Sequence, residues 1–436
     1  MRKVLIHAGM SPLEQPELDE VFSRRLFTTN SGNLLFQYGV YRAMMTEDTE
    51  FITRFLDRGD LSEAFIERVN AECECVVLPM ANNFRAGYDL MPNLTAFVKQ
   101  LRIPCVVTGI GLQADSAEDI RHGFPFDDRV RDFISAVLDH SAMLGLRGEF
   151  TADYLSRLGF IPERHFTVTG CPSMYSRGSK LPEVRREPLT AASGICVNYR
   201  KEQPLNLFHM VDRATQDYSN YHLLFQRVEE MFMLRYGMPV MYDYRRHMDD
   251  ESLYPTNRSH PAVRNQRAIG FANARAWMDF MGENQFSFGC RIHGNIAAVL
   301  SGTPALVFTI DTRTEELCRY HHIPFIPASQ IEEATDLRVI YESTDFSDVH
   351  VGHEARFQHF VDFLNANGLR HAYSDSLTPE RVPFDDALAK LPEWGLISAP
   401  KRMPPTMRLR GVRVYWPTLQ KKIQGKLKYI ARKMKR

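Results

Sequence analysis

The sequence predicts an α/β fold that contains two doubly wound parallel sheets. Short apolar runs alternate with segments of helical periodicity along most of the 436 residues, and this alternation is typical of parallel sheets with helices on both faces. The pattern occurs twice, without any repeat of sequence, on either side of a stretch at 176–193 in which Gly178, Pro182 and Pro188 stand among charged residues. Such a composition indicates an interdomain linker.

The first half, residues 1–180, is predicted to form one domain. Its strands are expected at Val4–His7, Cys75–Met80, Pro104–Ile110, Ala142–Leu146 and Phe166–Thr169, and its helices at Leu34–Met45, Asn93–Leu101, Arg129–His140 and Phe150–Leu158. Because helices lie between the strands, the strands are expected to run parallel.

The second half, residues 194–345, is predicted to form another domain of the same kind. Its strands are expected at Ile195–Tyr199, Val240–Tyr244, Phe286–Gly289 and Pro304–Ile310, and its helices at Tyr221–Arg235, Asn273–Met281, Asn295–Leu300 and Thr314–Tyr320. A helical segment at 346–400 follows, with one helix at about Glu354–Asn367. At about 150 residues per domain, the length of the chain predicts two or three domains.

Composition excludes several classes of protein. Hydrophobic residues make up 44% and charged residues 24% of the chain, and no apolar run reaches the roughly 18 residues of a membrane span. Met1–His7 is interpreted as a first strand and not as a signal peptide. The seven cysteines are odd in number and scattered, which predicts free thiols in a reducing compartment, and Cys73 and Cys75 have no second pair at metal spacing. We expect a cytoplasmic protein without a metal site.

The end of the chain carries a strong positive charge. Residues 401–436 contain 13 Lys or Arg and no Asp or Glu, so the first 400 residues hold 40 basic and 53 acidic residues. Apolar residues recur in this tail at helical spacing, at Leu419, Ile423, Leu427, Ile430 and Met434, with Trp416 before them. A basic amphipathic helix of this kind predicts peripheral contact with an anionic membrane surface. The alternatives are a disordered solubilising tail, docking on the acidic body of the protein, and non-specific contact with nucleic acid; no specific nucleic-acid binding is expected.

Residues 287–317 place polar side chains at successive strand-to-helix junctions. Arg291 and His293 follow one strand, and Asp311 and Arg313 follow the next. Open α/β sheets bind their ligands at such junctions. The backbone amides at the two helix starts would add partial positive charge to the two arginines. This combination predicts an anionic ligand.

The same stretch resembles the signatures of the polysaccharide pyruvyl transferase family. The R-x-H-G motif is present as Arg291-Ile292-His293-Gly294, and it is followed by Gly302-Thr303-Pro304 and by Asp311-Thr312-Arg313-Thr314-Glu315-Glu316-Leu317. An R-G-E-x-T-x-x-x-L turn is present at 147–155, and a V-x-G-x-P strand is present as Val168-Thr169-Gly170-Cys171-Pro172. The resemblance covers about residues 30–330.

This resemblance implies two Rossmann-like domains in a glycosyltransferase-B-like arrangement, with the active site between them and the segment 346–400 crossing back to the first domain. It also implies an enzyme that moves a pyruvyl group from phosphoenolpyruvate to a sugar of a surface polysaccharide or its precursor and forms a ketal. Phosphoenolpyruvate would be the donor substrate, no cofactor is expected, and the acceptor would be a sugar or a lipid-linked oligosaccharide.

Such chemistry requires a titratable group and fixed cations. His293 is the expected acid/base residue, and the alternative is a histidine that caps or packs at a helix start. Arg147 and Arg291, one in each domain, are expected to hold the donor from opposite sides, unless each pairs with a local acid such as Glu149. Arg313 is expected either to contact the substrate or to form a salt bridge with Asp311 that orients the loop.

Four further positions are expected to bind substrate. Gly32 and Asn33 precede a helix and form a candidate phosphate or sugar cradle; the family often has Asp where Asn33 stands, and simple N-capping by Ser31 or Asn33 is the alternative. Gln113 follows a glycine-rich strand end that is also typical of a tight turn, and Gly294 opens the helix after His293.

Two other functions are consistent with the sequence, because a fold does not fix a function. One is a glycosyltransferase of the same architecture that uses a nucleotide sugar. The other is a non-catalytic sugar-binding protein that its basic tail tethers to a membrane.

Overall fold

The computed structural model describes residues 1–58, 61–114, 118–240, 254–332 and 334–416, together with Gln420 and Ile423. Strands and helices alternate through these residues and build parallel sheets, which confirms the predicted α/β class. In this part of the chain, no helix is both long enough and apolar enough to cross a membrane.

The first sheet belongs to the N-terminal domain. Its strands are β1 (Arg2–His7), β2 (Thr49–Arg54), β3 (Cys73–Pro79), β4 (Cys105–Thr108), β5 (Leu144–Leu146) and β6 (Phe166–Val168). Parallel pairing gives the order β2-β1-β3-β4, and the β5–β6 pair continues the sheet, because Gly109 N donates to Gly145 O at 2.9 Å. The order begins as in flavodoxin-like sheets and reverses direction between β1 and β3. The helices of this domain are α1 (Leu18–Arg24), α2 (Asn33–Met44), α3 (Glu63–Glu72), α4 (Met91–Val98), α5 (Asp119–His122), α6 (Asp127–Leu138) and α7 (Glu149–Arg157).

The second sheet belongs to the C-terminal domain. Its strands are β7 (Gly194–Val197), β8 (Asn220–Phe225), β9 (Ala268–Phe271), β10 (Phe286–Gly289), β11 (Ala305–Thr309), β12 (Phe325–Pro327) and β13 (Leu396–Ser398). The order is β12-β11-β10-β7-β8-β9-β13, so its six parallel strands, counted from β7, follow the Rossmann order and reverse between β7 and β10. The helices are α8 (Leu205–Asp217), α9 (Val228–Tyr236), α10 (Pro261–Arg264), α11 (Ala274–Gly282), α12 (Ile292–Val299) and α13 (Thr312–His321).

The predicted helix Tyr221–Arg235 is wrong over its first seven residues. Residues 220–225 form β8, which pairs with β7 on one side and β9 on the other, and the helix α9 begins only at Val228. A short apolar run such as Leu223-Leu224-Phe225 is compatible with a buried strand or a buried helix, and the neighbouring strands decide in favour of the strand. The strand predicted at Val240–Tyr244 lies, from residue 241 onward, outside the described residues.

The segment after the second domain contacts both domains. It contains α14 (Leu337–Ser343), α15 (His353–Ala366) and α16 (Pro383–Ala389). Asn367 Oδ1, just after α15, accepts from Ala142 N at 3.0 Å, and Arg42 of α2 donates to Asp385 of α16 through Nε at 2.9 Å and Nη2 at 2.7 Å. The segment was predicted to be helical only, whereas it also supplies β13, which pairs antiparallel with β9. The two Rossmann-like domains are thus joined by a returning segment, as in glycosyltransferase-B-like folds.

A last described helix, residues 405–416, packs on the C-terminal domain. The rings of Tyr415 and Phe232 of α9 lie 5.0 Å apart in an edge arrangement. Of the apolar positions predicted in the tail, only Ile423 belongs to the described residues; Leu419, Leu427, Ile430 and Met434 lie outside them. All seven cysteines are buried and free, as predicted.

Candidate active site

Three of the expected site residues lie where a strand gives way to a helix. Arg147 follows β5 and precedes α7, His293 is in the first turn of α12, and Arg313 is in the first turn of α13. The carboxyl ends of parallel strands lie at one edge of a sheet, so this placement directs the three side chains to the sides of the two sheets that bind ligands.

His293 lies against the N-terminal domain. Its Nδ1 atom is 3.0 Å from the position that a Cβ atom on Gly32 would occupy, its ring lies 5.8 Å from that of Phe36, and its Nε2 atom is 3.8 Å from Cys171 Sγ. All three neighbours belong to the first domain, so His293 lies at the interface of the two domains.

Burial and nearby positive charge keep the imidazole of His293 neutral. Burial, together with the positive charges of Arg147 and Arg313, lowers the pKa of His293 from its usual 6.5 to about 3. One of these arginines comes from each domain. The imidazole is therefore a proton acceptor at neutral pH and carries no proton to donate while the site is empty.

Arg147 has the least satisfied side chain of the site. It is 2% exposed, and its Nε and Nη2 atoms have no hydrogen-bond partner among the described residues. Its stem lies against Gly111, where a Cβ atom would approach Arg147 Cδ to 3.1 Å. A buried guanidinium with unused N–H groups is costly, and an anionic ligand would supply the missing acceptors.

Arg313 of the C-terminal domain is linked to the N-terminal domain through the side-chain amide of Asn82. Its Nη2 atom donates to Asp311 Oδ2 at 3.0 Å, which is the predicted salt bridge. With its amide oxygen turned toward the arginines, Asn82 accepts from Arg85 Nη1 and Arg313 Nη1 at 3.1 Å each, and Asn82 also contacts Gln113. Asn82 therefore contacts both Gln113 and Arg313 and links the two side chains.

The arginine side chains around Arg313 are close enough for their charges to change its pKa. Burial lowers the pKa of Arg313 from its usual value, Asp311 opposes this shift, and the charges of Arg200, Arg147 and Arg85 add to it. A multiply charged anion between these side chains would offset this repulsion.

Arg291 occupies a different environment from the one expected. Its Nε atom donates to the Tyr199 carbonyl at 3.0 Å, and its Nη2 atom is 3.5 Å from Glu230 Oε1, inside the C-terminal domain. The hydroxyl of Tyr254 also donates to Glu230. The structure therefore places Arg291 in a local ion pair, the arrangement that was considered as its alternative, and Arg313 is the arginine that lies with Arg147 near His293.

The remaining expected residues differ in their contacts. Gly32 faces His293, whereas Asn33 Nδ2 donates to Thr28 Oγ1 at 2.7 Å and so stabilises its own loop. Neither Ser31 nor Asn33 caps α2, whose N-cap residue is Gly32. A Cβ atom on Gly294 would come within 1.7 Å of Asn198 Oδ1, so the absence of a side chain at this position permits close packing inside the domain.

Sequence reasoning missed Glu316. Its carboxylate reaches from α13 to α7 and accepts from Thr151 N and Thr151 Oγ1, each at 3.1 Å. Burial raises the pKa of Glu316 from its usual 4.5 to about 7, although Arg147 and the hydrogen bonds from Thr151 oppose the rise. The signal was present, because Glu316 is the glutamate that precedes Leu317 in the Asp311–Leu317 motif, which also contains Arg313.

The described residues contain no group of three or more His, Cys, Asp or Glu side chains that could hold a metal ion. The charged side chains at the domain interface include those of Arg147, Arg313, Asp311 and Glu316.

Comparison with known proteins identifies the family. The model of the family described as polysaccharide pyruvyl transferase matches residues 20–312, and no curated protein matches the sequence significantly. Among solved structures, the chain is similar to a UDP-N-acetylglucosamine 2-epimerase, with 11% identity over 87% of this chain and 100% of that chain and a TM-score of 0.44. It is also similar to the glycosyltransferase SnogD from Streptomyces nogalater, with 12% identity over 82% of this chain and 95% of that chain and a TM-score of 0.34. Since the family match spans most of the chain and includes Arg147, His293 and Asp311, the protein belongs to the polysaccharide pyruvyl transferase family, and it is a transferase.

Proposed function

We propose that the protein transfers a pyruvyl group from phosphoenolpyruvate to a sugar of a surface polysaccharide or its precursor. The observation that carries this proposal is the buried guanidinium of Arg147, whose Nε and Nη2 atoms lack a partner among the described side chains. Phosphoenolpyruvate offers a phosphate and a carboxylate, and both match the planar donor pattern of arginine. Arg147 and Arg313 would hold the donor from the two domains.

Formation of the ketal releases two hydroxyl protons. Each acceptor hydroxyl oxygen bonds to C2 of the donor; one proton ends on C3, which becomes a methyl group, and the other leaves with the phosphate. The neutral imidazole of His293 would accept a hydroxyl proton and deliver it to C3. An anion bound between Arg147 and Arg313 supports this role, because it offsets the two positive charges that add to burial in lowering the pKa of His293, and its own negative charge favours the protonated ring.

The acceptor would bind next to the donor, at the opening of the domain interface. Arg85, Asn82 and Gln113 offer hydrogen-bond donors and acceptors for sugar hydroxyls there. We propose a sugar or a lipid-linked oligosaccharide as acceptor. A lipid-linked acceptor would place the enzyme in the cytoplasm at the inner face of the plasma membrane, with residues 401–436 toward the lipid.

Thermal unfolding with added phosphoenolpyruvate tests the donor without requiring the acceptor. A ligand at 100 times its dissociation constant adds about 2.7 kcal/mol to the free energy of unfolding. Arg147→Ala should lose this stabilisation because the donor loses its buried cation. Arg131→Ala is the matched control, since Arg131 is an exposed arginine of the same domain that pairs only with Asp128. His293→Ala should keep the stabilisation and lose phosphate release when acceptor is present.

Other outcomes separate the alternatives. Stabilisation by a nucleotide sugar and not by phosphoenolpyruvate would contradict the proposal and favour a glycosyltransferase. Binding of acceptor oligosaccharide with no phosphate release from any donor would favour a sugar-binding protein.

A further inference from the structure

The helix 405–416 exposes apolar side chains on one face. Leu409 is 67% exposed, Val412 48% and Trp416 50%, and Ile423 beyond them is 45% exposed. These four are among eleven large apolar side chains that are exposed in the described residues, so this short stretch contains a large share of them. At about 100° per residue, the three of these positions that lie within the helix, Leu409, Val412 and Trp416, fall within an arc of about 60°.

The opposite face of the same helix is packed. Tyr415 is 5% exposed and contacts Phe232, and a Cβ atom on Gly411 would come within 2.4 Å of Tyr236 Cβ. Met407 and Val414 also pack against the core. The helix is therefore fixed to α9 by one side, and the Leu409 side is left without a partner in the described structure.

Positive charge borders the exposed face on both sides. Arg408 lies along one border and Arg413 along the other when the helix is viewed down its axis, and both are exposed. The surrounding segment 401–436 contains 13 Lys or Arg and no Asp or Glu. An apolar stripe between rows of cations matches the interface of an anionic bilayer, where apolar side chains reach the acyl chains and cations contact the headgroups.

This pattern distinguishes the candidate partners. A second copy of the same face would bring like charges together, and a nucleic acid would leave Leu409 and Val412 unburied beside its phosphates. We infer that the face formed by Leu409, Val412 and Trp416 binds the surface of an anionic lipid bilayer. This binding goes beyond the transfer reaction and does not depend on it.

Vesicle binding by the full chain tests this inference without donor or acceptor. Vesicles of phosphatidylcholine with phosphatidylglycerol should sediment the protein, and vesicles of phosphatidylcholine alone should not, because each basic residue near an anionic surface strengthens binding by a factor of about five. Fluorescence of Trp416 should shift to shorter wavelength on binding, and Trp416→Phe should remove that shift, since Trp277 is buried and Trp394 packs, partly buried, against the core.

A pair of double variants distinguishes binding through the apolar face from a general effect of added negative charge. Leu409→Glu with Val412→Glu should weaken vesicle binding at least about tenfold, because two charges enter the acyl region. Val339→Glu with Val351→Glu adds the same charge at positions that are 61% and 56% exposed elsewhere, and it should bind as the wild type does. Both variants change exposed side chains, and equal melting temperatures will show that each is folded.

Three results would overturn the inference. They are absence of binding to the anionic vesicles, equal loss in the two double variants, and tight binding to duplex DNA or RNA that Leu409→Glu with Val412→Glu leaves intact. None of these results bears on phosphoenolpyruvate binding, so the membrane inference and the proposed reaction fail separately.

Discussion

At the scale of single residues, Glu316 is the group through which pH acts on the domain interface. Its carboxyl group is 6% exposed and bonds to Thr151 of the other domain. Because burial raises the pKa of Glu316 to about 7, the folded protein retains this proton at pH values where the unfolded chain has released it. Between about pH 4.5 and 7, the group therefore lowers the free energy of unfolding as pH rises. Above about pH 7 the free energy of unfolding falls no further on account of this group.

Glu316→Gln should remove that dependence. Glutamine keeps an acceptor for Thr151 N and cannot ionise, so the free energy of unfolding should fall less between pH 4.5 and 7.5 in the variant. A difference of about 2.5 pH units in pKa corresponds to roughly 3 kcal/mol. Urea unfolding at several pH values measures the free energy of unfolding of the wild type and of the variant. Glu315→Gln is the control, since Glu315 pairs with exposed Arg319, and parallel pH profiles for wild type and Glu316→Gln would contradict the assignment.

Sequence motifs predicted where these residues lie in the fold better than they predicted the contacts of each side chain. Arg147 and His293 were expected at strand ends, and the structure brings them together. The ion pair of Arg291 with Glu230 joins residues 61 positions apart, so no local pattern predicts it. No local pattern predicts the contact of Asn82 with Arg313 either, because it forms only where the two domains face each other.

At the scale of elements, the turn after β6 fits directly against α13. Gly170 has a φ of +73°, and a Cβ atom on it would lie 2.2 Å from His321 Nε2 and 2.6 Å from Tyr320 Cδ1. The next residue, Cys171, donates its backbone N–H to His321 Nε2 at 2.8 Å. This turn therefore sets the position of α13, which carries Arg313 and Glu316.

Gly170→Ala should destabilise the protein by about 2–4 kcal/mol, because the left-handed backbone and the collision with His321 both oppose a side chain. Gly159→Ala is the matched control. Gly159 has a φ of +93° but no atom within 4 Å of its added Cβ, so only the backbone cost of about 1–2 kcal/mol is expected. Urea unfolding measures both, and equal losses would show that the packing of α13 on this turn is unimportant.

Elements were predictable where local pattern and burial agree. The alternation of apolar runs and helices identified β1, β3, β10 and β11, because each is a short buried strand followed by a helix. It missed β9, whose pairing with β8 and β13 is formed by residues distant in sequence. It also merged β8 with α9, since a short apolar run carries no periodicity of its own.

At the scale of the whole molecule, the sequence predicted two domains, but not the contacts of the segment that returns to the first. Arg42 is 8% exposed and forms a two-pronged contact with Asp385, 343 residues later. The hydroxyl of Tyr373 accepts from the same guanidinium. This contact ties α2, the helix that begins beside His293, to the segment that returns to the first domain.

A double-mutant cycle on Arg42→Ala and Asp385→Ala should give a coupling free energy of about 1–2 kcal/mol, because the geometry is bidentate and the arginine is shielded from water. Arg381→Ala and Glu47→Ala form the matched cycle. That pair joins the same two regions, but its side chains are 60% and 68% exposed, so a coupling below about 0.5 kcal/mol is expected. Urea unfolding of the four variants and the two double variants supplies both values. If the exposed pair couples as strongly as the buried one, charge alone holds the returning segment. If only Arg42 and Asp385 couple, that segment is held by the same helix that presents Gly32 to His293, and loss of the contact should weaken donor binding together with stability.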